Sequence, residues 1–588
     1  MRFHMMNSAI RPVSYLALAV ALAAASSGSA QTGGNDPRVG LRGGWLNAGE
    51  VARNLRLISH RPRPDALVNP KNPGDFGYMN SDLAFRGNLL FQGNFYGFQI
   101  WDISSPSNPK LRTAFPCPGG QGDPSIHGNL LFLSVEMPNG RVDCGTQGAG
   151  ADTVSTARFR GVRIFDVSDL DHPKQIAAVQ TCRGSHTHTL VTDPKDPKTV
   201  YIYVSGASYV RPAAELAGCS GRAPEEDPNT SLFRIEIIRV PLDSPQSARV
   251  VNAPRIFADS AGIAGLWKGG AHGPGTQSTS TTDQCHDITV YSAIGLAAGA
   301  CSGNGILLDI RDPANPKRIA EATDPNFAYW HSATFSNDGK KVVFTDEWGG
   351  GTQPRCRSTD KPEWGADAIF TIDDRKLTQR SYFKIPAPQV PAENCVAHNG
   401  ALIPVPGRDI MAQGWYQGGV SIFDFTNPAK PVEIAYFDRG PMDTTLVLGG
   451  SWGAYWYNGQ LYSSEIGRGL DVLDLQPSEF LSQNEIDAAK LVRLDTFNPQ
   501  NQPAIVWPAS FVVARAYLDQ LARYNGLSRD RTTSLGHELD RIEKLSGDAR
   551  RSALTQLASN LEKDPAHTTE SRVRALAGVL KDLAAARQ

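Results

Sequence analysis

Residues 162–176 read VRIFDVSDLDHPKQI: a short apolar/polar strand, an aspartate, a proline-bearing turn and the start of another strand. Alternation at period two that runs into Asp and Pro is the pattern of a half-buried strand ending in a tight turn. The phrase returns as FQIWDISSPSNPKL from Phe98, GILLDIRDPANPKRI from Gly305, VSIFDFTNPAKPVEI from Val420 and LDVLDL from Leu470. Two degenerate copies, IEIIRVPLDSP from Ile235 and AIFTIDD from Ala368, bring the set to seven. An all-β unit recurring about every 60 residues means a propeller or a solenoid.

Each copy is preceded by two further strands and a tight turn. The first reads SDLAF, RGN, LLFQGN; later ones read HSATF, SNDGK, KVVFTDE from His331 and WGAYWY, NGQ, LYSSE from Trp452. Strand, turn, strand, loop, strand, turn, strand is one propeller blade. The expectation is therefore an all-β, seven-bladed β-propeller over residues 54–475, with a small C-terminal α-helical appendage. The seventh copy lacks an outer strand, and the spare segment LRLIS at residues 55–59 resembles the outer strands KRIAE and VEIAY. It is expected to close the ring and remove the free edge.

The VRIFDVSD-type phrase resembles the LVIVD repeat of secreted bacterial β-propellers, over Leu55 to Leu475. That resemblance implies the fold and says little of function. A more distant likeness is to the selenium-binding protein (methanethiol oxidase) family of copper propellers. It runs through histidines that open inner strands and the D-x-S/R-x-P phrase, and it implies catalysis at an open metal position.

The ends read differently. Arg2 and Arg11, an apolar run from Tyr15 to Ala25 and the small residues before Gln31 read as a signal peptide, residues 1–30, cleaved after Ala30. Residues 31–53 form an N-terminal extension and residues 476–507 a linker. From 508 to 588 apolar residues take helical spacing. Phe511, Ala514, Leu518 and Leu521 form one stripe; Leu535, Leu539, Ile542 and Leu545 a second; Leu554, Leu557 and Leu561 a third; Val573, Leu576, Leu580 and Leu583 a fourth. Pro508 suits a first helical position, Asn525-Gly526 a helix end and Asp548 an N-cap. Lys and Arg total 58 against 59 Asp and Glu, a net charge of −1, so no basic footprint for nucleic acid exists. No later run is long and apolar enough for a transmembrane segment. The chain reads as secreted or periplasmic.

All eight cysteines lie between Cys117 and Cys395, which in an oxidising compartment reads as four disulfides. Eight cysteines allow roughly a hundred pairings, but the repeat register narrows them. Every cysteine falls in an entry loop or a second-to-third-strand loop, hence on one face, the top. Sequence neighbours then pair: Cys117 with Cys144, Cys182 with Cys219, Cys285 with Cys301, and Cys356 with Cys395.

On the same register His188, His286, His331 and His398 open the inner strands of blades three to six, and His186 precedes His188 by two residues, on the same strand face. His127 aligns with a bottom turn and is set aside. Carboxylates Glu136, Glu347 with Asp346, and Glu465 end second strands at the top, and Asp287 follows His286. Imidazoles with carboxylates suit one transition-metal ion, copper, zinc, manganese or iron, better than calcium. The candidate ligands are His188, His286, His331, His398, His186 and Glu347. Trp330, Trp348, Trp415 and Trp452 lie near top-face strand ends, as core or as the lining of a ligand funnel. Gly449-Gly450-Ser451-Trp452-Gly453 matches a nucleophile elbow in letters only, because an inner strand follows it rather than a helix. P-loop and Rossmann fingerprints are absent from the sequence. Two functions remain: a scaffold binding a protein, glycan or small-molecule ligand on its stapled top face, or a transition-metal enzyme acting on a small molecule at the channel mouth.

Overall fold

The aspartate of the repeated phrase sets the local chain path. Asp102, Asp166, Asp309 and Asp424 end the strands Gly97–Asp102, Gly161–Asp166, Asn304–Asp309 and Val420–Asp424. Each carboxylate accepts the backbone N–H two residues on, from Ser104, Ser168, Arg311 and Thr426, at 2.9, 2.9, 3.1 and 2.8 Å. An Asx turn of this kind reverses the chain after the third strand and starts the fourth.

A computed structural model describes residues 35–563 and 571–586; the expected signal peptide lies outside them. Seven antiparallel four-strand meanders follow one another. Their first strands are Asn80–Arg86, Pro124–His127, His188–Thr192, Asp287–Tyr291, Trp330–Phe335, Asn399–Ile403 and Ser451–Tyr457. These first strands touch in succession, and the last touches the first, so they form a closed circuit. Threonines stitch part of it: Thr189, Thr289 and Thr334 donate to the carbonyls of Ile288, Ala333 and Gly400 on the next strand, at 2.5, 2.7 and 3.2 Å.

The seventh meander takes its fourth strand from the other end of the chain. Leu55–Pro62 pairs antiparallel with Gly469–Leu475 along its whole length. In the six other meanders the third-to-fourth pairing carries a register shift, and this pair carries one too. A bulge there adds twist to each outer edge, so the N-terminal strand fills the same structural position as the six others. Glu50–Arg53, within the expected extension, adds an outer strand to Val432–Arg439.

A polar latch spans this closure. His60 Nδ1 lies 2.7 Å from Asp471, Arg439 ion-pairs with the same carboxylate, and Arg439 Nε donates to Glu50 at 2.7 Å. Burial alone would raise the Asp471 pKa, but Arg439 and the His60 hydrogen bond outweigh it and hold the carboxyl at about 2. The unfolded value is near ~3.9, so the folded state binds fewer protons between the two. The latch's stabilisation is complete above about pH 4 and is lost as pH falls through about 2. Thermal unfolding across pH 2–5 should show this acid loss, and Asp471→Asn should flatten it while lowering the pH 7 midpoint. An unchanged slope in the variant would count against the latch.

Residues 476–507 are more than the expected linker. They contain the helix Gln483–Lys490, opened by a Ser482–Glu485 capping box, and the strand Thr496–Phe497, which pairs with Phe85 and Arg86. The chain then crosses the lower ends of the first strands. Asn498 Oδ1 accepts the Ile126 N–H at 2.8 Å and its Nδ2 donates to the Ile126 carbonyl at 3.0 Å. Gln502 does the same to Phe335, at 3.0 and 2.9 Å. Between them, the backbone carbonyl of Gln500 accepts the Val290 N–H and the backbone N–H of Gln502 donates to the Val290 carbonyl, each at 2.8 Å. Amide side chains thus stand in for a neighbouring strand, which is why Asn and Gln recur here. Replacing Asn498 or Gln502 by Ala leaves a buried N–H and C=O unpaired, at about 1–3 kcal/mol each, roughly additive across the ring. Denaturant melts of the single and double variants measure this; wild-type midpoints would show that the strap contributes nothing.

Four helices follow: Phe511–Arg523, Arg529–Glu543, Gly547–Lys563 and Ser571–Ala585. Their buried leucines and the expected stripes form one apolar cluster, except Leu545, which lies past the end of Arg529–Glu543 and outside it. The first helix starts after Ser510, whose side chain accepts from Val513, rather than at Pro508. Asp548 lies inside the first turn of its helix, which begins at Gly547. Buried Glu485 joins the helices to the ring, paired with Arg408 at 3.0 Å and Arg523 at 2.5 Å.

Candidate metal centre at the mouth of the ring

The first strands all begin at one end of the ring, and the disulfides lie there. Cys117–Cys144, Cys182–Cys219, Cys285–Cys301 and Cys356–Cys395 are bonded, as the repeat register requires, and the described residues hold no free cysteine. They hold the long top loops against which the histidines pack.

Four imidazoles run in a row across this mouth. Ring centroids lie 4.4 Å apart for His186 and His286, 3.9 Å for His286 and His331, and 4.3 Å for His331 and His398. Two sets of donor atoms each fall within 4.8 Å of one another: His286, Asp287 and His331, and His331, Glu347 and His398. His331 belongs to both. All five residues are buried.

Hydrogen bonds orient the rings. His398 Nδ1 bonds the Trp452 carbonyl, which requires its proton on Nδ1 and leaves a lone pair on Nε2, 3.7 Å from Glu347. His331 Nε2 is buried without a hydrogen-bond partner, 3.8 Å from the other Glu347 oxygen. The Tyr416 hydroxyl donates to Glu347 Oε1 at 2.5 Å. Burial pushes His398 down to about 3, and burial with the neighbouring imidazoles holds His331 well below the usual value. Both rings therefore stay neutral, the form that ligates metal. Burial also raises Glu347, against the pull of His286.

His186 behaves otherwise. Its Nδ1 lies 2.6 Å from Glu136, which outweighs burial and raises the imidazole's pKa while lowering the carboxylate's. Its Nε2 lies 2.7 Å from His286 Nε2. One nitrogen must carry the proton, and Glu136 makes His186 the donor.

Of the expected ligands, His286, His331, His398 and Glu347 converge, His186 joins through His286, and His188 does not. His188 turns to Ser134, 2.8 Å from its Nδ1, and lies outside both donor sets. The same-face rule for residues two apart needs an extended strand, and residues 186–187 form a bend just before His188–Thr192. Glu465 pairs with Arg468 and Asp346 accepts backbone N–H groups, so neither serves the cluster. Trp330 and Trp415 are core, whereas Trp452 lines the mouth. Ser451 bonds Ser463 at 2.7 Å in an inner strand, as the elbow's exclusion implied.

Tyr416 carries no sequence signal. It sits at φ +53°, a left-handed conformation unusual for an aromatic residue, and two backbone bonds to Ser451 at 3.0 and 2.8 Å hold it there. Strain of this kind, about 1–3 kcal/mol, collects where a side chain must be aimed; here the hydroxyl is aimed at Glu347.

No protein-family model matches the chain, and no curated protein sequence matches it. Among solved structures it is similar to the periplasmic gluconolactonase of Pseudomonas aeruginosa, with TM-score 0.40, 11% identity, and 68% of this chain and 97% of that one covered. It is similar also to hydrazine synthase of Kuenenia stuttgartiensis, at TM-score 0.39, 11% identity and coverage of 66% and 92%. The N-terminal domain of Nup159 gives TM-score 0.39, 10% identity and coverage of 71% and 95%.

Proposed function

We propose that the chain is an exported, seven-bladed propeller of LVIVD type that binds one transition-metal ion through His286, His331, His398 and Glu347. On this reading it acts as a metal-dependent enzyme on a small molecule held at the mouth of the ring. The observation that carries it is His331, a buried neutral imidazole whose Nε2 has no protein partner although two sets of donors surround it. Orphaned buried polar atoms call for a specific explanation, and the nitrogen–oxygen donor set is that of copper, zinc, manganese or iron. A bound ion would supply Lewis-acid or redox chemistry facing the open cavity. The chain's own residues would do the rest. Asp287, 3.4 Å from His286 Nδ1, orients that ring; Tyr416 holds the Glu347 carboxylate; the His186–Glu136 pair stores a proton beside His286. The four disulfides are consistent with an oxidising compartment, and among the described residues no helix is long and apolar enough to cross a membrane.

Elemental analysis of protein purified with its disulfides intact tests the reading. About one transition-metal ion per chain is expected, retained through dialysis. Protein that takes up none after exposure to each of the four metals would leave the metal-free scaffold, binding a glycan or protein partner on the same face.

A further inference from the structure

A cavity of about 510 Å³ opens above the histidines, and its lining is chemically one-sided. The walls are Phe76, Phe95, Met137, Tyr209, Leu448 and Trp452; the floor presents His286, Glu347 and Tyr416. The lining contains the carboxylates Glu136 and Glu347, the imidazole of His186 bonded to Glu136, and no Lys or Arg. Phe95 meets Phe76 at 4.6 Å and Trp452 at 6.3 Å between centroids, both edge to face. The wall is therefore a packed aromatic surface that offers ring faces and edges to a guest.

Tyr209 is the unexplained element. It is 89% exposed, the most exposed large aromatic of the described chain, yet its backbone is braced. Arg160 donates to the Tyr209 carbonyl at 2.8 Å and to Ser208 Oγ at 2.5 Å, and Arg183 donates to the Ser208 carbonyl at 2.9 Å. Both arginines are buried, and Cys182–Cys219 closes the segment that carries Arg183, Ser208 and Tyr209. Buried cations, spent on fixing a bare ring at the rim, make sense if that ring is a preformed contact.

We infer that this cavity takes a neutral, ring-bearing apolar molecule and rejects anions. It rests on the preceding reading only in placing the guest above the metal. Glu347 has no cationic partner in the lining and Glu136 is already engaged with His186, so a carboxylate or phosphate would lose its hydration without gaining a partner. A neutral ring loses little hydration and gains the aromatic wall. The cavity's size falls in the usual range of about 300–1,000 Å³ for small-molecule sites.

The test titrates 2-naphthol and 2-naphthoate, one ring system in neutral and anionic form, into the full oxidised protein at pH 7. The protein is first dialysed against a chelator, so that coordination of the carboxylate to metal does not enter. Naphthol should bind at least about tenfold tighter, equivalent to about 1.4 kcal/mol. Tyr209→Ala, at an exposed site, should weaken naphthol by about threefold or more, within the ~0.5–1.5 kcal/mol of an aromatic pair, and leave the melting temperature unchanged. Equal or tighter binding of naphthoate, no naphthol binding, or no effect of Tyr209→Ala would overturn the inference. A naphthol preference in protein that never holds metal would sink the metal reading alone, and a naphthoate preference in protein that holds one ion would sink the ligand class alone.

Discussion

His331→Ala is expected to lower bound transition metal from about one ion per chain to under about one tenth. His331 is the one imidazole common to both donor sets, so its loss leaves each a ligand short. Its neighbours do not substitute: His286 belongs to one set and His398 to the other, and neither joins the two. The residue is fully buried, so the variant's fold is checked by its melting temperature. Glu347→Gln provides the second variant. It keeps shape and the Tyr416 contact but removes the charge, and affinity should fall by at least the 10–100-fold typical of supporting groups. His188→Gln should stay loaded, because His188 turns to Ser134. Full loading of both His331→Ala and Glu347→Gln would end the metal reading.

Deleting residues 31–62 should abolish cooperative folding rather than fray one end. Leu55–Pro62 pairs along the whole of Gly469–Leu475, and Leu55, Leu57 and Ile58 pack into the cores of the last two meanders and the first. Removing it exposes a full strand edge, opens two apolar clusters and deprives Asp471 of His60. Total stability of such a fold is about 5–15 kcal/mol, and losses of this kind exceed what remains. Leu55→Ala gives a graded version, at about 2–4 kcal/mol for a buried leucine. A deletion variant that melts within a few degrees of the full chain would show that the ring does not depend on this strand.

The repeats made most of the ring readable because each copy spells its own strand, turn and strand, and because a fourth strand was missing at one end and spare at the other. The cysteine pairs followed from the same register. Local features outside the period were not readable. The bend at residues 186–187 breaks the alternation that would have put His188 beside His186. The strap at residues 496–505 looks like a polar linker because its contacts are side-chain amides on distant backbone, a pairing with no periodicity. Tyr416 reaches Glu347 only through a left-handed backbone, which residue letters do not announce in a tyrosine. The Ser510 cap won over Pro508 because a side-chain acceptor for Val513 satisfies a helix N–H that proline cannot serve.

The strap makes the ring a cup rather than a pipe. Gln500 reaches up to Asp82 at 3.2 Å and the segment is bonded to the first strands of three meanders, so chain lies across the base of the axis. Whatever enters by the aromatic rim must leave past the same Tyr209 and Trp452. On the proposed enzymatic reading, arrival and departure share one doorway, so a spent molecule blocks the next, and product should compete with substrate for entry.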